Sequence, residues 1–328
     1  MEGNANGHTR SRLQELQGLP LFRKVGFTAA RIAEWYQHYN GKVYVAFSGG
    51  KDSTVLLDIA RTLYPEIKAM FVDTGLEYPE IKEFVKTFDN VDIVRPKMSF
   101  KQVIDEYGFP VIGKEVAECI YEARKSDGEK YTFRLKKLNG ELKKGDNSAS
   151  QWDFSKYKFL MDAPFKISHK CCAVIKKRPA KQYHKDSGLF PIIATMAEES
   201  RLRQTTWLRQ GCNAFEAKEP KSAPMSFWTE QDVLEYIYIK NIRISSVYGE
   251  VLQDTKGKYY TTGCSRTGCM FCMFGVKSEK TPNRFQRMYY THPELYDYCL
   301  NKLGIKEVLD FINVPYEPEF DLFNQERN

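Results

Sequence analysis

The sequence predicts an α/β protein built on a doubly wound, mostly parallel sheet. Short apolar runs alternate with stretches whose apolar residues recur at helical spacing, which is the pattern of successive βα units. The first apolar run, Lys42–Phe47, leads directly into the letters SGGKDS and then into the helical spacing of Thr54–Leu63. Open sheets of this kind bind ligands at the carboxyl ends of their strands. The loop after the first strand is therefore the first candidate site.

The remaining elements follow the same alternation. Strands are predicted at Ile67–Val72, Val91–Arg95 and Pro191–Thr195, and helices at Phe27–Tyr39, at Pro79–Phe88, after Cys172 and over WTEQDVLEYIYI. Thr229 and Asp232 at the start of the last helix suit a capping box. We predict a polar N-terminal extension or helix at 1–25, an α/β domain at 26–225 and a C-terminal α-helical region at 226–328.

Residues 121–160 interrupt this alternation. The segment is charged, punctuated by glycine and rich in aromatic side chains, and we predict an inserted hairpin or a partly mobile arm. Its lysines would suit a polyanion such as a nucleic acid. A solvated charged surface is the ordinary explanation of such a run.

Composition restricts the class of protein. The 328 residues suffice for a large α/β domain with an appendage or for two domains. Hydrophobic residues make up 42% and charged residues 28%, and no apolar run reaches the length of a membrane span. We therefore expect a cytoplasmic protein that lacks a secretory signal. The net charge of +7 favours anionic partners, while the oligomeric state is left open.

The letters SGGKDS have the features of an anion-binding loop. The residues are Ser48, Gly49, Gly50, Lys51, Asp52 and Ser53. Backbone amides at a helix N-terminus, glycines that permit close approach and serine hydroxyls all suit a phosphate, and Lys51 adds a positive charge. The spacing differs from that of the GxxxxGK[ST] loop, so the usual β/γ-phosphate cradle is not implied. An ordinary glycine turn that caps a helix would have the same spacing.

Asp73, Thr74 and Gly75 follow the second predicted strand. A carboxylate at the carboxyl end of a neighbouring strand lies at the crevice where open sheets bind ligands. Asp73 would therefore suit Mg²⁺ bound to phosphates. Capping of the following turn is its alternative role.

Five of the eight cysteines form two groups. Cys171 and Cys172 are adjacent, and Cys264, Cys269 and Cys272 lie in the segment CSRTGCMFC. Soft thiolate ligands suit either zinc or an iron–sulfur cluster. An adjacent pair is awkward for a tetrahedral zinc site, which favours the cluster. The other three cysteines, Cys119, Cys212 and Cys299, are predicted to be structural thiols.

The order of these motifs resembles that of the phosphoadenylylsulfate reductase family within the ATP-pyrophosphatase superfamily. The resemblance runs from Val43 to about Phe274 and includes the loop, VDTG, the CC pair, the ES of MAEESRLRQ and CxxC. It implies an adenine nucleotide, ATP with Mg²⁺, bound by the loop Ser48–Ser53 and by Asp73–Gly75. It also implies a substrate segment formed by Glu199, Ser200 and Arg203.

The same resemblance implies a [4Fe–4S] cluster and divides the cysteines. The implied ligands are Cys171, Cys172, Cys269 and Cys272, which leaves Cys264 as a sulfur carrier. Two alternatives remain open for Cys264. It replaces Cys171 as a ligand, or it is a structural cysteine.

The sequence departs from the reductases in two places. Those enzymes end in a cysteine-bearing tail whose thiol attacks the substrate sulfur, and they typically lack an intact SGGKDS. Here the stretch VPYEPEFDLFNQERN has no cysteine and the loop is complete. Both departures favour activation of ATP over reduction of an activated sulfate.

The leading prediction is an ATP-pyrophosphatase-type sulfurtransferase, similar to the iron–sulfur enzymes that thiolate tRNA or introduce phosphorothioates into DNA. Its catalytic residues would be Lys51, Asp73, Arg203 and Cys264. A nucleic-acid acceptor and a sulfur-donor or electron-donor protein are the predicted partners. The alternatives are an adenylylsulfate reductase and a non-catalytic nucleotide-sensing regulator of the same fold.

Overall fold

The computed structural model describes residues 8–125, 132–142 and 153–318. Its α-helices are α1 (Arg10–Gln17), α2 (Leu21–His38), α3 (Lys51–Leu63), α4 (Pro79–Lys86), α5 (Phe100–Tyr107), α6 (Lys114–Ala123), α7 (Thr132–Leu138), α8 (Arg178–Ser187), α9 (Arg201–Gln210), α10 (Glu230–Lys240), α11 (Arg284–Thr291), α12 (Pro293–Asp297) and α13 (Ile305–Phe311). Its strands are β1 (Val43–Ala46), β2 (Lys68–Val72), β3 (Val91–Val94), β4 (Val111–Ile112), β5 (Phe190–Ile192), β6 (Asn213–Ala214), β7 (Lys221–Ser222), β8 (Val251–Gln253), β9 (Tyr259–Thr261) and β10 (Met273–Phe274). Over these ranges, no helix combines the length and apolar character needed to cross a bilayer.

The chain forms two compact units, and both are discontinuous in sequence. The sheet unit takes in the described residues of 1–73, 77–95 and 179–267, and the cysteine unit takes in those of 74–76, 96–178 and 268–328. These limits differ from the sequential boundaries predicted from the sequence, because the chain passes between the two units several times.

The sheet unit contains six strands in the order β3-β2-β1-β5-β7-β6. All neighbouring strands are parallel except β6 and β7, which confirms the predicted mostly parallel sheet. In the centre, Val45 pairs with Ala69 on one side and with Ile192 on the other. Strand order reverses beside β1, so its carboxyl end opens at the point where sheets of this kind bind ligands.

The core of the sheet unit is packed around β1. Its buried side chains are Val43 and Val45 of the strand itself, Phe47 directly after it, Val55, Leu56 and Ala60 from α3, and Ile32 and Trp35 from α2, among others. Strand β1 is apolar on both faces, as expected of a strand covered by helices on each side. This packing holds α3 against the strand that precedes it.

A buried ion pair joins α2 to the start of α10. Lys24 is 2% exposed, and its Nζ donates to Asp232 Oδ1 and Oδ2 at 2.7 and 2.6 Å. Asp232 also accepts from the backbone N–H of Thr229 at 2.6 Å, and Thr229 Oγ1 accepts from the N–H of Asp232 at 3.3 Å. The predicted capping box is therefore confirmed, and its carboxylate has a second role in tertiary structure.

The cysteine unit is mainly helical, with a short parallel pair formed by β4 and β10. Arg124, at the end of α6, holds the following segment through its guanidinium. Nη1 donates to the carbonyl of Phe165 at 2.7 Å, and Nη2 donates to those of Leu160 and Ala163 at 2.7 and 2.9 Å. One side chain thus satisfies several carbonyls of the segment between Leu160 and Phe165.

The sequence predicts an inserted hairpin or arm over 121–160, and the hairpin is wrong where the chain is described. The described part contains the end of α6, helix α7 and a 3₁₀ helix, Ser155–Asp162, while residues 126–131 and 143–152 lie outside the described residues. Leu138 is buried, and buried Lys137 donates to Glu115 on α6 at 2.7 Å. These contacts could not be inferred from the local charge pattern.

We expect Lys24→Ala to lower the free energy of unfolding by about 3–5 kcal/mol, because it leaves the Asp232 carboxylate buried without its cation. Urea denaturation measures the change. Lys86→Ala is the control, since Lys86 pairs with Glu83 on the surface and such pairs contribute less than about 1 kcal/mol. Equal effects of the two variants would contradict the role assigned to the buried pair.

Candidate nucleotide and sulfur site

The predicted phosphate loop connects β1 to α3. Gly50 is the N-cap of α3, and Lys51 is the first helical residue. Ser53 folds back over the loop, where its Oγ donates to the carbonyl of Gly50 at 2.9 Å and accepts from the N–H of Ser48 at 3.1 Å. The two serine hydroxyls are 3.0 Å apart. The loop is therefore a compact turn that presents the N-terminus of a helix.

The two glycines are required by close packing. Gly49 has φ +71°, and a Cβ at this position would lie 2.8 Å from Cγ2 of both Ile81 and Val85 on α4. A Cβ on Gly50 would lie 3.2 Å from the hydroxyl of Tyr248. A side chain at Gly49 would therefore be strained by its backbone conformation and by its neighbours.

Lys51 is buried beneath the loop and lies between two carboxylates. Its Nζ is 3.2 Å from Asp52 Oδ1 and 3.3 Å from Glu230 Oε1. Asp52 Oδ1 is enclosed and accepts no hydrogen bond within the described residues. The backbone N–H of Lys51 donates to the hydroxyl of Tyr248 at 3.2 Å. The Lys51 ammonium is thus paired with Asp52 on α3 and Glu230 on α10, while the backbone N–H of Lys51 is bonded to Tyr248.

Asp73 lies at the end of β2, as predicted, and it is paired with cations. Lys82 Nζ is 3.0 Å from Asp73 Oδ1, and Arg95 Nε is 3.2 Å from Asp73 Oδ2. Thr74 and Gly75 belong to the cysteine unit. There the N–H of Leu76 donates to Thr74 Oγ1 at 3.2 Å, and the carbonyl of Leu76 accepts from the N–H of Met270 at 2.9 Å.

The segment Glu199–Arg203 forms the start of α9. Ser200 is the N-cap, and its Oγ accepts from the N–H of Arg203 at 3.3 Å. Glu199 forms ion pairs with Arg203 and with Arg266, whose Nη2 is 3.6 Å away. Burial and then the charge of Arg266 lower the pKa of Arg203, while Asp52 opposes the shift. Two guanidinium groups therefore share one carboxylate within the sheet unit.

Cys264 lies in the sheet unit and is held by its backbone. Its N–H donates to the carbonyl of Val247 at 2.9 Å, and its carbonyl accepts from Thr261 Oγ1 at 3.1 Å. Three residues later, Thr267 Oγ1 is 2.6 Å from the hydroxyl of Tyr248. The short segment Cys264–Thr267 is thus attached to the same turn at both ends.

The other four clustered cysteines, Cys171, Cys172, Cys269 and Cys272, all belong to the cysteine unit. Burial, followed by the proximity of Cys172, Cys269 and Cys272, raises the pKa of the Cys171 thiol. Burial also raises the pKa of the Cys272 thiol. The backbone amide of Phe274 and the charge of Arg284 lower this pKa and so reduce the shift. Tertiary structure thus brings into mutual electrostatic range four thiols that are distant in sequence.

These thiols do not form a preassembled chelate. Within residues 8–125, 132–142 and 153–318, no three His, Cys, Asp or Glu side chains are arranged to hold a metal ion. The chemistry of the donor set nevertheless fits a thiolate-ligated cluster, since Lys176 and Arg284 supply positive charge. A π-helical turn, Ala173–Lys177, follows the adjacent pair. Such turns are frequent at functional sites.

The family pattern for the phosphoadenosine phosphosulfate reductase domain matches residues 42–111 and 113–273, which is more than half of the chain. The chain belongs to this family. The match runs from the start of β1 through the CxxC motif. It confirms the family resemblance of the sequence and assigns the chain a phosphate-loop nucleotide-binding fold found in enzymes.

Individual relatives of this reductase-domain protein are distant. An uncharacterized protein of Methanocaldococcus jannaschii is 24% identical over 271 residues, which are 81% of this chain and 49% of that protein. The chain thus spans about half of that relative's length. An adenosine 5′-phosphosulfate reductase of Staphylococcus epidermidis is 23% identical over 72% of this chain and 74% of the reductase.

The solved structures to which the chain is similar include the phosphoadenylyl-sulfate reductase of Candida auris in a phosphate complex. It has 13% sequence identity and a TM-score of 0.37, and the match covers 78% of this chain and 100% of the other.

Sequence reasoning on this member of the reductase-domain family missed Glu230, Tyr248, Arg266 and Thr267. Glu230 and Tyr248 are far from the loop in sequence and reach Lys51 only in the folded sheet unit. Arg266 and Thr267 had a usable signal, because they lie between cysteines of the CSRTGC segment. The structure assigns partners to both of them within the sheet unit.

We expect Gly49→Ala to lower the free energy of unfolding by about 1–3 kcal/mol, since it places a Cβ at positive φ against α4. Chemical denaturation measures the change. Gly26→Ala is the control, because Gly26 lies within α2 with no atom within 4 Å of its ideal Cβ. That variant should be neutral or stabilising by up to about 1 kcal/mol. A tolerated Gly49→Ala would contradict the constraint on the loop.

Proposed function

We propose that the chain binds ATP at the loop Ser48–Ser53, adenylates an acceptor oxygen and prepares the acceptor for sulfur transfer. The observation that carries the proposal is the complete loop at the carboxyl end of β1, with the buried Lys51 ammonium at its base. A helix N-terminus and a buried cation together suit the two linked phosphates that leave as pyrophosphate.

In this reaction the acceptor oxygen forms a bond to the α-phosphorus, and the bond from that phosphorus to the bridging oxygen breaks. Pyrophosphate leaves with the electron pair and with increased negative charge. Lys51 and Arg203 would stabilise that charge, because fixed cations in a protected site act without reorganisation. A sulfide sulfur, or the terminal sulfur of a persulfide, then attacks the activated carbon of the acceptor, and AMP leaves with the electron pair. In the persulfide case the carrier and the acceptor are left joined by a disulfide, which a dithiol reductant cleaves to release the thiolated acceptor.

A divalent cation bound with the nucleotide would supply further charge neutralisation. Asp73 was the predicted ligand, and it pairs with Lys82 and Arg95 in the described structure. Asp52 lies within the loop itself, and its Oδ1 pairs with the Lys51 ammonium at 3.2 Å. We therefore propose that Asp73 holds Mg²⁺, as the sequence predicts, and that its present cation partners yield to the metal when nucleotide binds.

Cys171, Cys172, Cys269 and Cys272 would hold a [4Fe–4S] cluster. When bound, the cluster supplies thiolate-ligated iron that can hold sulfur or transfer one electron. The adjacency of Cys171 and Cys172 and the CxxC spacing support this set, and so does their common membership of the cysteine unit. Lys176 and Arg284 would offset the negative charge of the thiolates.

Cys264 would act as the sulfur carrier. It belongs to the unit that contains the phosphate loop, whereas the four proposed ligands belong to the other unit. Its backbone contacts with Val247 and Thr261 hold it without using the thiol in those bonds. A sulfane-sulfur donor protein would convert the Cys264 thiol to a persulfide, whose terminal sulfur would attack the adenylated acceptor as AMP leaves. A dithiol reductant would then cleave the disulfide between Cys264 and the acceptor and regenerate the thiol.

Reduction of adenylylsulfate is the second candidate function, and the relative from Staphylococcus epidermidis favours it. The two functions are separated by incubation with ATP and, separately, with adenylylsulfate. Pyrophosphate release supports the first function, and sulfite release supports the second. Nucleotide binding without either product supports a sensor. Nucleic acid recovered with the anaerobically purified protein would identify the class of acceptor.

Lys51→Ala should decrease kcat/KM for pyrophosphate release by about 100-fold or more, because it removes a fixed cation from the leaving group. The measurement is ATP-dependent pyrophosphate release in the presence of acceptor. Lys68→Ala is the control, since Lys68 is an exposed lysine of the same unit that pairs with Asp92. Unchanged turnover in Lys51→Ala would rule out the loop as the ATP site.

Serine substitution of the clustered cysteines separates metal binding from sulfur transfer. Protein prepared anaerobically should contain iron and sulfide in comparable amounts, and Cys171→Ser, Cys172→Ser, Cys269→Ser and Cys272→Ser should each lose iron. Cys264→Ser should keep the iron and lose sulfur transfer. Loss of iron in Cys264→Ser together with retention in Cys171→Ser would contradict the division. Zinc as the sole stoichiometric metal would exclude the cluster.

A further inference from the structure

Tyr248 connects the phosphate loop with the segment Cys264–Thr267. Its hydroxyl accepts from the N–H of Lys51 at 3.2 Å and lies 2.6 Å from Thr267 Oγ1. The residue is 2% exposed, and burial raises the pKa of its hydroxyl, which therefore keeps its proton. A single neutral hydroxyl thus bonds to both segments.

The bond from Lys51 is one that a phosphate also requires. The N–H of Lys51 is at the first position of α3 and has no acceptor within the helix. Phosphate oxygens at a helix N-terminus accept from these first amides. A phosphate in the loop therefore competes with the Tyr248 hydroxyl for the N–H of Lys51 and displaces that hydroxyl, and with it the Tyr248–Thr267 bond.

The opposite end of the segment cannot respond in the same way. Gly263 N–H donates to the carbonyl of Tyr248 at 2.8 Å, and Cys264 N–H donates to that of Val247 at 2.9 Å. A Cβ on Gly263 would lie 2.5 Å from the carbonyl oxygen of Val247, which shows how closely the two backbones approach. Cys264 is thus fixed to the turn through its backbone, while Thr267 is attached through a side-chain bond.

We propose that Tyr248 is a positioning residue that couples phosphate in the loop to release of the Cys264–Thr267 segment. This inference rests on the proposed nucleotide-binding function of the loop and adds a link to the proposed sulfur carrier. Without phosphate, the Tyr248–Thr267 bond keeps the segment closed. With phosphate, that bond is lost and the Cys264 thiol becomes more accessible.

The test measures alkylation of Cys264 by iodoacetamide, resolved by peptide mass spectrometry, in the anaerobically prepared full chain. The nucleotide is α,β-methylene-ATP with Mg²⁺, which cannot release pyrophosphate, and its binding is measured separately by calorimetry. In the parent protein it should accelerate alkylation of Cys264 about fivefold, the effect of losing one hydrogen bond. Alkylation of Cys212, in the same unit, should not change.

Tyr248→Phe removes the hydroxyl and keeps the ring. Its Cys264 should react about fivefold faster than that of the parent without nucleotide and should show no further response to it. Thr267→Val should behave in the same way, and the double variant should add nothing. Tyr236→Phe is the matched control, since that buried hydroxyl also bonds to α3, through Asp58 at 2.7 Å. It should retain the slow rate and the full response.

The coupling would be contradicted if the parent bound nucleotide and its Cys264 reacted with iodoacetamide at an unchanged or slower rate. It would also be contradicted if Cys264 in folded Tyr248→Phe or Thr267→Val reacted slowly without nucleotide and still responded fully to it. If nucleotide binds and pyrophosphate is released from ATP in these cases, the proposed function stands alone. If the parent binds no nucleotide, both proposals fail.

Discussion

The amides at the start of α3, which have no acceptor within the helix, are the feature on which the candidate site depends. A helix that begins directly after a buried strand presents its first N–H groups at the edge of the sheet, where they need acceptors. Here Ser53 folds back to the Ser48 amide, and Tyr248 accepts from Lys51. The left-handed backbone of Gly49 allows the chain to make this turn while packed against α4. An anion would satisfy the same groups.

Charge is balanced closely around this turn. The Lys51 ammonium is neutralised by Asp52 and Glu230, and Arg203 shares Glu199 with Arg266. The buried Lys51 ammonium therefore has carboxylate partners, as the cost of desolvating an isolated charge requires. When a polyphosphate enters such a site, its oxygens replace carboxylates as the partners of the protein's cations. The protein thus keeps its cations in place without a bound ligand.

The cysteine unit is organised by different contacts. Arg124 satisfies carbonyls of the segment that follows α7, and the short β4–β10 pair places Met273 beside Val111. The first contact attaches the segment before the adjacent cysteines to the end of α6, and the second attaches the strand after CxxC to β4. Two ligand pairs from distant parts of the chain thus become part of one unit.

The sequence by itself determined the alternation of strands and helices, the family, and the position of the phosphate loop. These features depend on local periodicity, on glycine and on motif spacing, all of which are written in consecutive residues. The capping box of α10 was also predictable, because Thr229 and Asp232 are three residues apart. The proposed division of the cysteines came from the family resemblance and stays a prediction.

Only the tertiary structure decided the partners of the loop. Glu230 and Tyr248 reach Lys51 from about 180 and 200 residues further along the chain, and no periodic pattern encodes such contacts. The helices in the described part of 121–160 likewise bury Leu138 and Leu160, and local composition does not encode these contacts. Long-range packing selects among conformations that a charged, glycine-containing segment permits, and so its outcome is visible only in the folded chain.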